Sequence, residues 1–247
     1  MASTTIRGLT RDTLTHGIVQ ISLDLKTIDD ALRKAAIAVE AGADWLEIGT
    51  PLTQAEGTRA AVALREEFPD HPLVADLKMM DGGYGAARMY GDAGADAVVV
   101  MSRAHDAVIE RACDAGAEFD LMVMADDMAS TDPAGDARRV QALGVGMVLH
   151  HLGHDHRTKH RADGLSPLAS LPEVIAATTL PVQVVGGLSV EQAIAGPQMG
   201  AGVVVFGAPL VIADENSFAV GDADLLSVLT SAIARVHEQT VVYPRSD

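Results

Sequence analysis

Eight short apolar runs, rich in Val, Ile and Leu, recur along the chain at spacings of about 20–34 residues. Most of them carry apolar residues on both faces rather than alternating with polar ones, which is typical of parallel strands that are covered on both sides. The stretches between them carry apolar residues at helical spacing. The predicted strands are Ile18–Leu25, Trp45–Gly49, Leu73–Lys78, Ala97–Met101, Asp120–Ala125, Met147–His151, Pro181–Gly187 and Gly202–Gly207.

This alternation predicts an α/β protein with a single (β/α)8 TIM barrel over residues 1–247, because eight strand–helix units follow one another without a linker. An open doubly wound sheet is the alternative, but no GxGxxG motif follows the first strand to support a dinucleotide-binding form of it. We expect residues 1–17 to form an N-terminal arm or cap and residues 240–247 a tail. Asp29 and Ser189 are the predicted N-caps of two helices.

Charge and composition exclude several classes of partner. The chain carries 34 acidic against 18 basic side chains, a net charge of −16, which argues against binding of nucleic acid or of an anionic membrane surface. No stretch reaches the roughly 18 uninterrupted apolar residues of a membrane span, and the N-terminus lacks the apolar core of a signal peptide. The single cysteine, Cys113, permits no internal disulfide. These features predict a cytoplasmic protein without nucleic-acid or membrane partners.

Charged residues occur where the predicted strands end, which is where a parallel barrel keeps its active site. An ionised carboxylate in an apolar barrel is costly unless it is paired or bound to a metal. A buried ion-pair network with a purely structural role is one interpretation, and several such residues at equivalent positions favour a shared active site instead. The residues in question are Asp24, Glu47, Asp76, Lys78, His150 and His151.

The spacing around the third strand indicates the chemistry. Asp76 and Lys78 are two residues apart, so in an extended chain both side chains point into the barrel mouth. A lysine between carboxylates stays protonated and can stabilise an oxyanion or shuttle a proton. Glu47 and Asp76 are hard oxygen ligands suited to Mg²⁺, which can bind two neighbouring oxygens of a keto-sugar and stabilise its enediolate.

Three segments carry a resemblance to a known family. Residues Asp76–Asp81 (Asp-Leu-Lys-Met-Met-Asp) match the Asp-x-Lys-x-x-Asp motif of the orotidine 5′-monophosphate decarboxylase superfamily. Glu47–Leu52 and the strand-six pattern His151–Asp155 are similar to its branch of 3-hexulose-6-phosphate synthases. The resemblance extends from about Ile18 to Asp214, which is nearly the whole predicted barrel.

This branch implies a Mg²⁺-dependent aldol reaction between formaldehyde and D-ribulose 5-phosphate through a 1,2-enediolate. By resemblance, Glu47 and Asp76 would ligate Mg²⁺, and Asp24 would position the substrate and the lysine. Lys78 would stabilise or protonate the enediolate, and His151 would act as an acid/base.

The resemblance also implies an oligomer, and two alternative functions stay open beside the synthase reaction. In relatives, the residue that matches Asp81 is contributed across a dimer interface, so we expect a homodimer with active sites at the interface. The sister branch, 3-keto-L-gulonate-6-phosphate decarboxylase, reaches the same intermediate by losing CO₂. A barrel that binds a sugar phosphate without turnover is the third alternative.

The predicted phosphate site departs from the usual pattern of such barrels in one of its two loops. Barrels of this kind hold phosphate with backbone N–H groups of the loops after strands seven and eight, here Gly186 and Gly187, and Gly207 and Ala208. Ala208 is followed by a proline, so this loop offers fewer donors than usual.

The loop after strand six is rich in cationic and histidine side chains. Residues 150–160 hold five of the nine histidines, with Arg157 and Lys159 among them. Three interpretations stay open at this point. The loop is a solvated surface, or its cations, Arg157 and Lys159 among them, replace the missing phosphate donors, or the histidines hold zinc or nickel.

Overall fold

The computed structural model describes residues 5–207 and 222–244. Its eight strands are all parallel and form a closed barrel in the order β1 to β8, with β8 paired back to β1. The strands are β1 (Ile18–Leu23), β2 (Trp45–Ile48), β3 (Leu73–Met79), β4 (Ala97–Met101), β5 (Met122–Asp126), β6 (Met147–His151), β7 (Val182–Val185) and β8 (Val203–Gly207). The closure confirms the predicted (β/α)8 barrel and excludes the open doubly wound sheet.

Helices connect the strands. They are α1 (Ile28–Glu40), α2 (Thr50–Glu56), α3 (Thr58–Glu67), α4 (Gly83–Asp92), α5 (Asp106–Phe119), α6 (Pro133–Ala142), α7 (His154–Lys159), α8 (Leu171–Ala177), α9 (Val190–Gln198) and α10 (Asp222–His237). A 3₁₀ turn, Arg161–Asp163, follows α7. In the described ranges, none of these helices has the length and apolar character needed to cross a bilayer.

Several predicted element ends differ from the observed ones. β1 ends at Leu23 rather than Leu25, so Asp24 lies just past the strand. β7 ends at Val185 because Gly186 and Gly187 have φ angles of +128° and +65°, which a strand does not allow.

One predicted N-cap is wrong and the other is confirmed. The cap of α1 is Thr27, whose side chain accepts a hydrogen bond from the Asp30 backbone N–H, so the helix begins before Asp29. Ser189 caps α9 in a reciprocal capping box with Gln192. Threonine and aspartate are both favourable N-cap residues, so residue type by itself does not locate the first residue of α1.

The barrel wall separates two apolar clusters, one inside the barrel and one between the wall and the helices. In β6, Met147 and Leu149 belong to the inner cluster, and Val148 belongs to the outer one. Because side chains alternate along a strand, the next two residues also separate. His150 therefore lies on the outer face of the wall, and His151 lies inside the barrel mouth.

The N-terminal segment packs against the inner cluster. Ile6, Leu9 and Leu14 are buried there together with Trp45. Gly202, just before β8, lies so close to Leu14 that a Cβ would overlap that side chain. These contacts place the segment at the end of the barrel opposite the strand C-termini. The prediction that residues 1–247 form one domain stays a prediction.

Candidate active site

A buried glutamate marks the inner wall at the end of β2. Glu47 is 8% exposed, and its Oε1 accepts a 2.7 Å hydrogen bond from the Ser22 hydroxyl of β1. The Gln20 side-chain amide donates to the other oxygen. Burial, followed by repulsion from Asp76 and Asp24, raises the pKa of Glu47 to about 8. Without a further positive charge in the mouth, Glu47 therefore tends to hold a proton at neutral pH.

Asp76 lies at the equivalent inner position of β3. Its Oδ2 accepts hydrogen bonds from Thr50 Oγ1 at 2.7 Å and from Lys78 Nζ at 2.6 Å. Its Oδ1 is buried and has no hydrogen-bond partner. An unpaired buried carboxylate oxygen costs about 1–3 kcal/mol or more, so this atom is a natural place for a ligand or a metal ion.

Asp24 lies between the ends of β1, β2 and β8. The Ser22 hydroxyl is 3.2 Å from its Oδ1. A Cβ at Gly49 would overlap that oxygen, and a Cβ at Gly207 would lie 3.1 Å from Oδ2. Enclosure by the surrounding protein, followed by repulsion from Asp76, raises the pKa of Asp24, although water reaches the carboxylate through the open mouth.

This group fits a divalent cation. It brings three carboxylates together with one lysine, raises the pKa of two of them and leaves one buried oxygen without a partner. Within residues 5–207 and 222–244, no three His, Cys, Asp or Glu side chains are arranged to hold a metal ion together, and the histidine loop has no such group either. A Mg²⁺ site with two carboxylate ligands and several waters does not require a third. Glu47 and Asp76 are the two side chains that suit it.

Lys78 reaches the site by an unexpected route. We predicted an extended chain from Asp76 to Lys78, and this is wrong, because Lys78 has a φ of +45° and the β3–β4 register shifts between Ala75 and Met79. Such bulges and left-handed residues are costly and often occur at functional sites. The bulge still directs the Lys78 amine to Asp76, the outcome that simple alternation predicted.

Two carboxylates hold the Lys78 amine. Its Nζ lies 2.6 Å from Asp76 and 3.4 Å from Asp126 of β5. Burial by itself would lower the pKa of Lys78, but the attraction of Asp76 and Asp126 outweighs burial and raises it. Lys78 is therefore a fixed cation in the mouth.

Asp126 also holds His151. Its Oδ2 is 2.8 Å from His151 Nδ1, and its Oδ1 accepts a hydrogen bond from the Met128 backbone N–H. Burial would raise the pKa of Asp126, but His151 and Lys78 lower it. Asp126 was not among the predicted site residues. Its position gave a signal, because it lies two residues after the inward-facing Met124 and ends an apolar run.

At the predicted phosphate site, the structure places Arg157 against the loop after β7. A Cβ at Gly187 would overlap Arg157 Nη1, and a Cβ at Gly186 would lie 2.5 Å from the Leu152 carbonyl oxygen. Arg157, Arg161 and both glycines line a cavity of about 300 Å³. Burial, followed by repulsion from Arg161, lowers the pKa of Arg157, so an anion in this cavity would be favoured.

The remaining predicted residues lie elsewhere or outside the described ranges. Gly207 ends β8 beside Asp24, whereas Ala208 lies outside the described residues. Asp81 is exposed, and its side chain accepts a hydrogen bond from the Gly82 backbone N–H. It borders a separate cavity of about 380 Å³ with Tyr84 and does not join the group around Asp76.

Comparison with known proteins identifies the family of this chain. The profile of the orotidine 5′-phosphate decarboxylase / HUMPS family matches residues 17–216, more than half of the chain. The chain belongs to this family. The matched range spans all eight strands, so the carboxylates and Lys78 are part of the family's own domain.

Two kinds of named enzyme in this family are similar to the chain, a synthase and a decarboxylase. The chain is 35% identical to the 3-hexulose-6-phosphate synthase of Mycobacterium gastri over 189 residues, 76% of this chain and 89% of that protein. A crystal structure of a 3-hexulose-6-phosphate synthase superposes with a TM-score of 0.77 and 32% identity, covering 87% of this chain and 99% of that one. A 3-keto-L-gulonate-6-phosphate decarboxylase of Vibrio cholerae has a TM-score of 0.71 and 26% identity, covering 90% and 99%.

Proposed function

We propose that this family member is a carbon–carbon lyase that acts as a 3-hexulose-6-phosphate synthase, adding formaldehyde to D-ribulose 5-phosphate. The observation that carries the proposal is the barrel mouth, where Glu47, Asp76 and Lys78 meet around one unpartnered carboxylate oxygen. The 35% identity to a named synthase over most of both chains supports the same reaction.

Mg²⁺ is the cofactor of this proposal, with Glu47 and Asp76 as its protein ligands. When bound, it supplies a positive charge that polarises the keto-sugar oxygens and stabilises the enediolate. The unpartnered Asp76 Oδ1 and the raised pKa of Glu47 are the features that support such a cation.

His151 carries out the proton transfers, and Lys78 stabilises the charge that develops. His151, held through Nδ1 by Asp126, removes the C1 proton of ribulose 5-phosphate and leaves a 1,2-enediolate. The Lys78 ammonium stabilises the enediolate oxygens as negative charge develops. C1 then attacks formaldehyde, and His151 returns the proton to the new alkoxide, so the hexulose 6-phosphate forms without net proton change. Asp24 positions the hydroxyl groups of the sugar beside Lys78.

The phosphate is held at the far side of the mouth. Backbone N–H groups at Gly186 and Gly187 and the Arg157 guanidinium provide its donors, together with the β8 loop that begins at Gly207 and Ala208. The positive φ angles of the two glycines that follow β7 and the position of Arg157 against Gly187 support this site.

A homodimer with active sites at its interface is part of the proposal, and Asp81 would serve the neighbouring subunit's mouth. Asp81 is exposed, and the nearby Met80 and Met89 are 56% and 53% exposed. Methionine is among the residues that are enriched at protein–protein interfaces. Light scattering on the eluting peak of a size-exclusion column should give twice the chain mass of 25.7 kDa. The cytoplasm is the compartment that the single cysteine favours.

The reaction is tested with ¹³C-formaldehyde, ribulose 5-phosphate and Mg²⁺, followed by carbon NMR. We expect label in C1 of a hexulose 6-phosphate, loss of the signal with EDTA, and recovery with added Mg²⁺. Glu47→Gln should lower the rate about 100-fold or more, whereas the exposed Glu40→Gln on α1 serves as the matched control.

Two other outcomes would replace the proposal. Release of CO₂ from 3-keto-L-gulonate 6-phosphate, without formaldehyde consumption, would assign the chain to the decarboxylase activity. Binding of a sugar phosphate without turnover of either substrate would make it a binding protein.

A further inference from the structure

Asp126 and His151 form an acid–histidine pair inside the mouth. A second such pair lies on the outer face of the barrel wall and is made by the adjacent residues of the chain. His150 Nδ1 is 2.7 Å from Asp127 Oδ2, and both side chains are buried, with 6% and 3% exposed. The other Asp127 oxygen accepts a 2.9 Å hydrogen bond from the His151 backbone N–H. The carboxylate is thus held at both oxygens, and it in turn holds the imidazole in one orientation.

A serine hydroxyl completes a line of three groups. Ser170, which directly precedes α8, has its Oγ 2.9 Å from His150 Nε2. An ionised carboxylate only accepts hydrogen bonds, so in the neutral ring Nδ1 carries the hydrogen and Nε2 is the acceptor. The Ser170 hydroxyl then donates to Nε2, which is the arrangement of a nucleophile, its general base and an orienting acid.

The hydroxyl opens into a cavity of about 700 Å³, while the other two groups form its wall. Met128, Pro133 and Leu152 contribute apolar side chains to the rest of the lining, and His154, Asp155 and His156 contribute polar ones. The cavity also borders His151. The two imidazoles leave opposite faces of β6 because adjacent side chains alternate along a strand. The size of the cavity suits a small organic molecule, and Ser170 is partly exposed at its surface.

We propose that Ser170, His150 and Asp127 form a second catalytic site that hydrolyses small uncharged carboxylic esters. Ser170 Oγ attacks the ester carbonyl while His150 Nε2 takes the hydroxyl proton. His150 then gives that proton to the departing alcohol, and an acyl-serine remains. Water, deprotonated by His150, releases the acid and restores Ser170. Ester and water are the reactants, and acid and alcohol are the products.

The primary test is covalent labelling of the folded full-length protein with diisopropyl fluorophosphate, followed by peptide mass spectrometry. We expect a single adduct on Ser170 and none after heat denaturation, because labelling depends on the His150 contact. Hydrolysis of p-nitrophenyl acetate should fall about 10²–10⁴-fold in Ser170→Ala, the range for loss of a general-base-assisted step. EDTA should change neither result, which separates this site from the proposed Mg²⁺-dependent one.

Ser166→Ala is the matched control, since Ser166 borders the same cavity but bonds to Leu168 and Gln192 rather than to His150. It should keep both labelling and hydrolysis. Wild-type protein that is folded by circular dichroism and yet takes no adduct at Ser170 would overturn the proposal. Equal labelling rates in wild type and folded His150→Gln would do so as well, because the histidine would then not activate the serine.

Discussion

Two neighbouring acid–histidine pairs share β5 and β6 and differ in almost everything that decides their chemistry. Inside the mouth, Asp126 Oδ2 lies 2.8 Å from His151 Nδ1. On the outer face, Asp127 Oδ2 lies 2.7 Å from His150 Nδ1. The inner pair meets the ammonium of Lys78, whereas the outer pair meets the neutral hydroxyl of Ser170. The third group, supplied by a distant part of the chain, determines what each pair can do.

The largest effect is expected from removing the cation at the inner pair. Lys78→Met should lower kcat of the proposed aldol reaction about 10³-fold, because the enediolate loses its fixed positive charge. Lys34→Met, on α1 outside the mouth, is the control for loss of one lysine charge. Steady-state rates measured with ¹³C-formaldehyde check this, and a loss under tenfold would remove Lys78 from the mechanism.

Exchanging one acid at a time tests whether the pairs act separately. Asp126→Asn should lower kcat of the aldol reaction about 100-fold with a smaller change in KM, because His151 loses its orienting acceptor and Lys78 loses one of its two partners. Asp127→Asn should instead slow labelling of Ser170 by diisopropyl fluorophosphate. If each variant impaired both reactions equally, the two pairs would be one coupled unit.

Helix α7 borders both cavities and allows a narrower test. Arg157 lines the cavity at Gly187, whereas His154 and His156 line the larger cavity of Ser170. Arg157→Ala should raise KM for ribulose 5-phosphate about tenfold and leave kcat nearly constant, since it removes binding that is equal in the ground state and the transition state. Lys159→Ala, an exposed neighbour on the same helix, is the control. An unchanged KM in Arg157→Ala would exclude it from the phosphate site.

A third acid–histidine pair gives the smallest expected effect. His237 Nε2 lies 2.7 Å from Asp44 Oδ2, which also accepts a hydrogen bond from the Val19 backbone N–H, and neither side chain lines the three cavities described above. The hydrogen bond that His237 donates to the Asp44 carboxylate raises the pKa of His237 despite partial burial.

The pKa of His237 is higher in the folded state than in the unfolded state. The protonated imidazole therefore contributes its full stabilisation of the fold below about pH 6.5, and this stabilisation is lost as pH rises through the folded-state pKa. His237→Gln should therefore be less stable than wild type by about 1 kcal/mol or less at pH 6, and the difference should shrink by pH 8.5. Chemical denaturation at both pH values measures it. A difference that grows with pH would mean that the pair is not stabilised by the charged imidazole.

Sequence reasoning located the strands and most charged residues of the mouth, because continuous apolar runs make any polar residue within them conspicuous. It placed Asp76 and Lys78 together for a partly wrong reason, since the bulge at Lys78 has no signature in a run such as Leu73–Lys78. It did not include Asp126 among the residues of the mouth. Whether an acid at the end of a strand faces inward depends on the exact last residue of β5, and local propensity does not determine that boundary.

The amino-acid order by itself determined the barrel, since eight two-sided apolar strands that alternate with amphipathic helices can bury their apolar faces in few other ways. The tertiary structure determined the different partners of His150 and His151. Strand alternation sends adjacent side chains to opposite faces, but only closure of the barrel brings Lys78 to one face and packing of α8 brings Ser170 to the other. Contacts between residues far apart in the chain depend on the three-dimensional arrangement, and those contacts assign the chemistry.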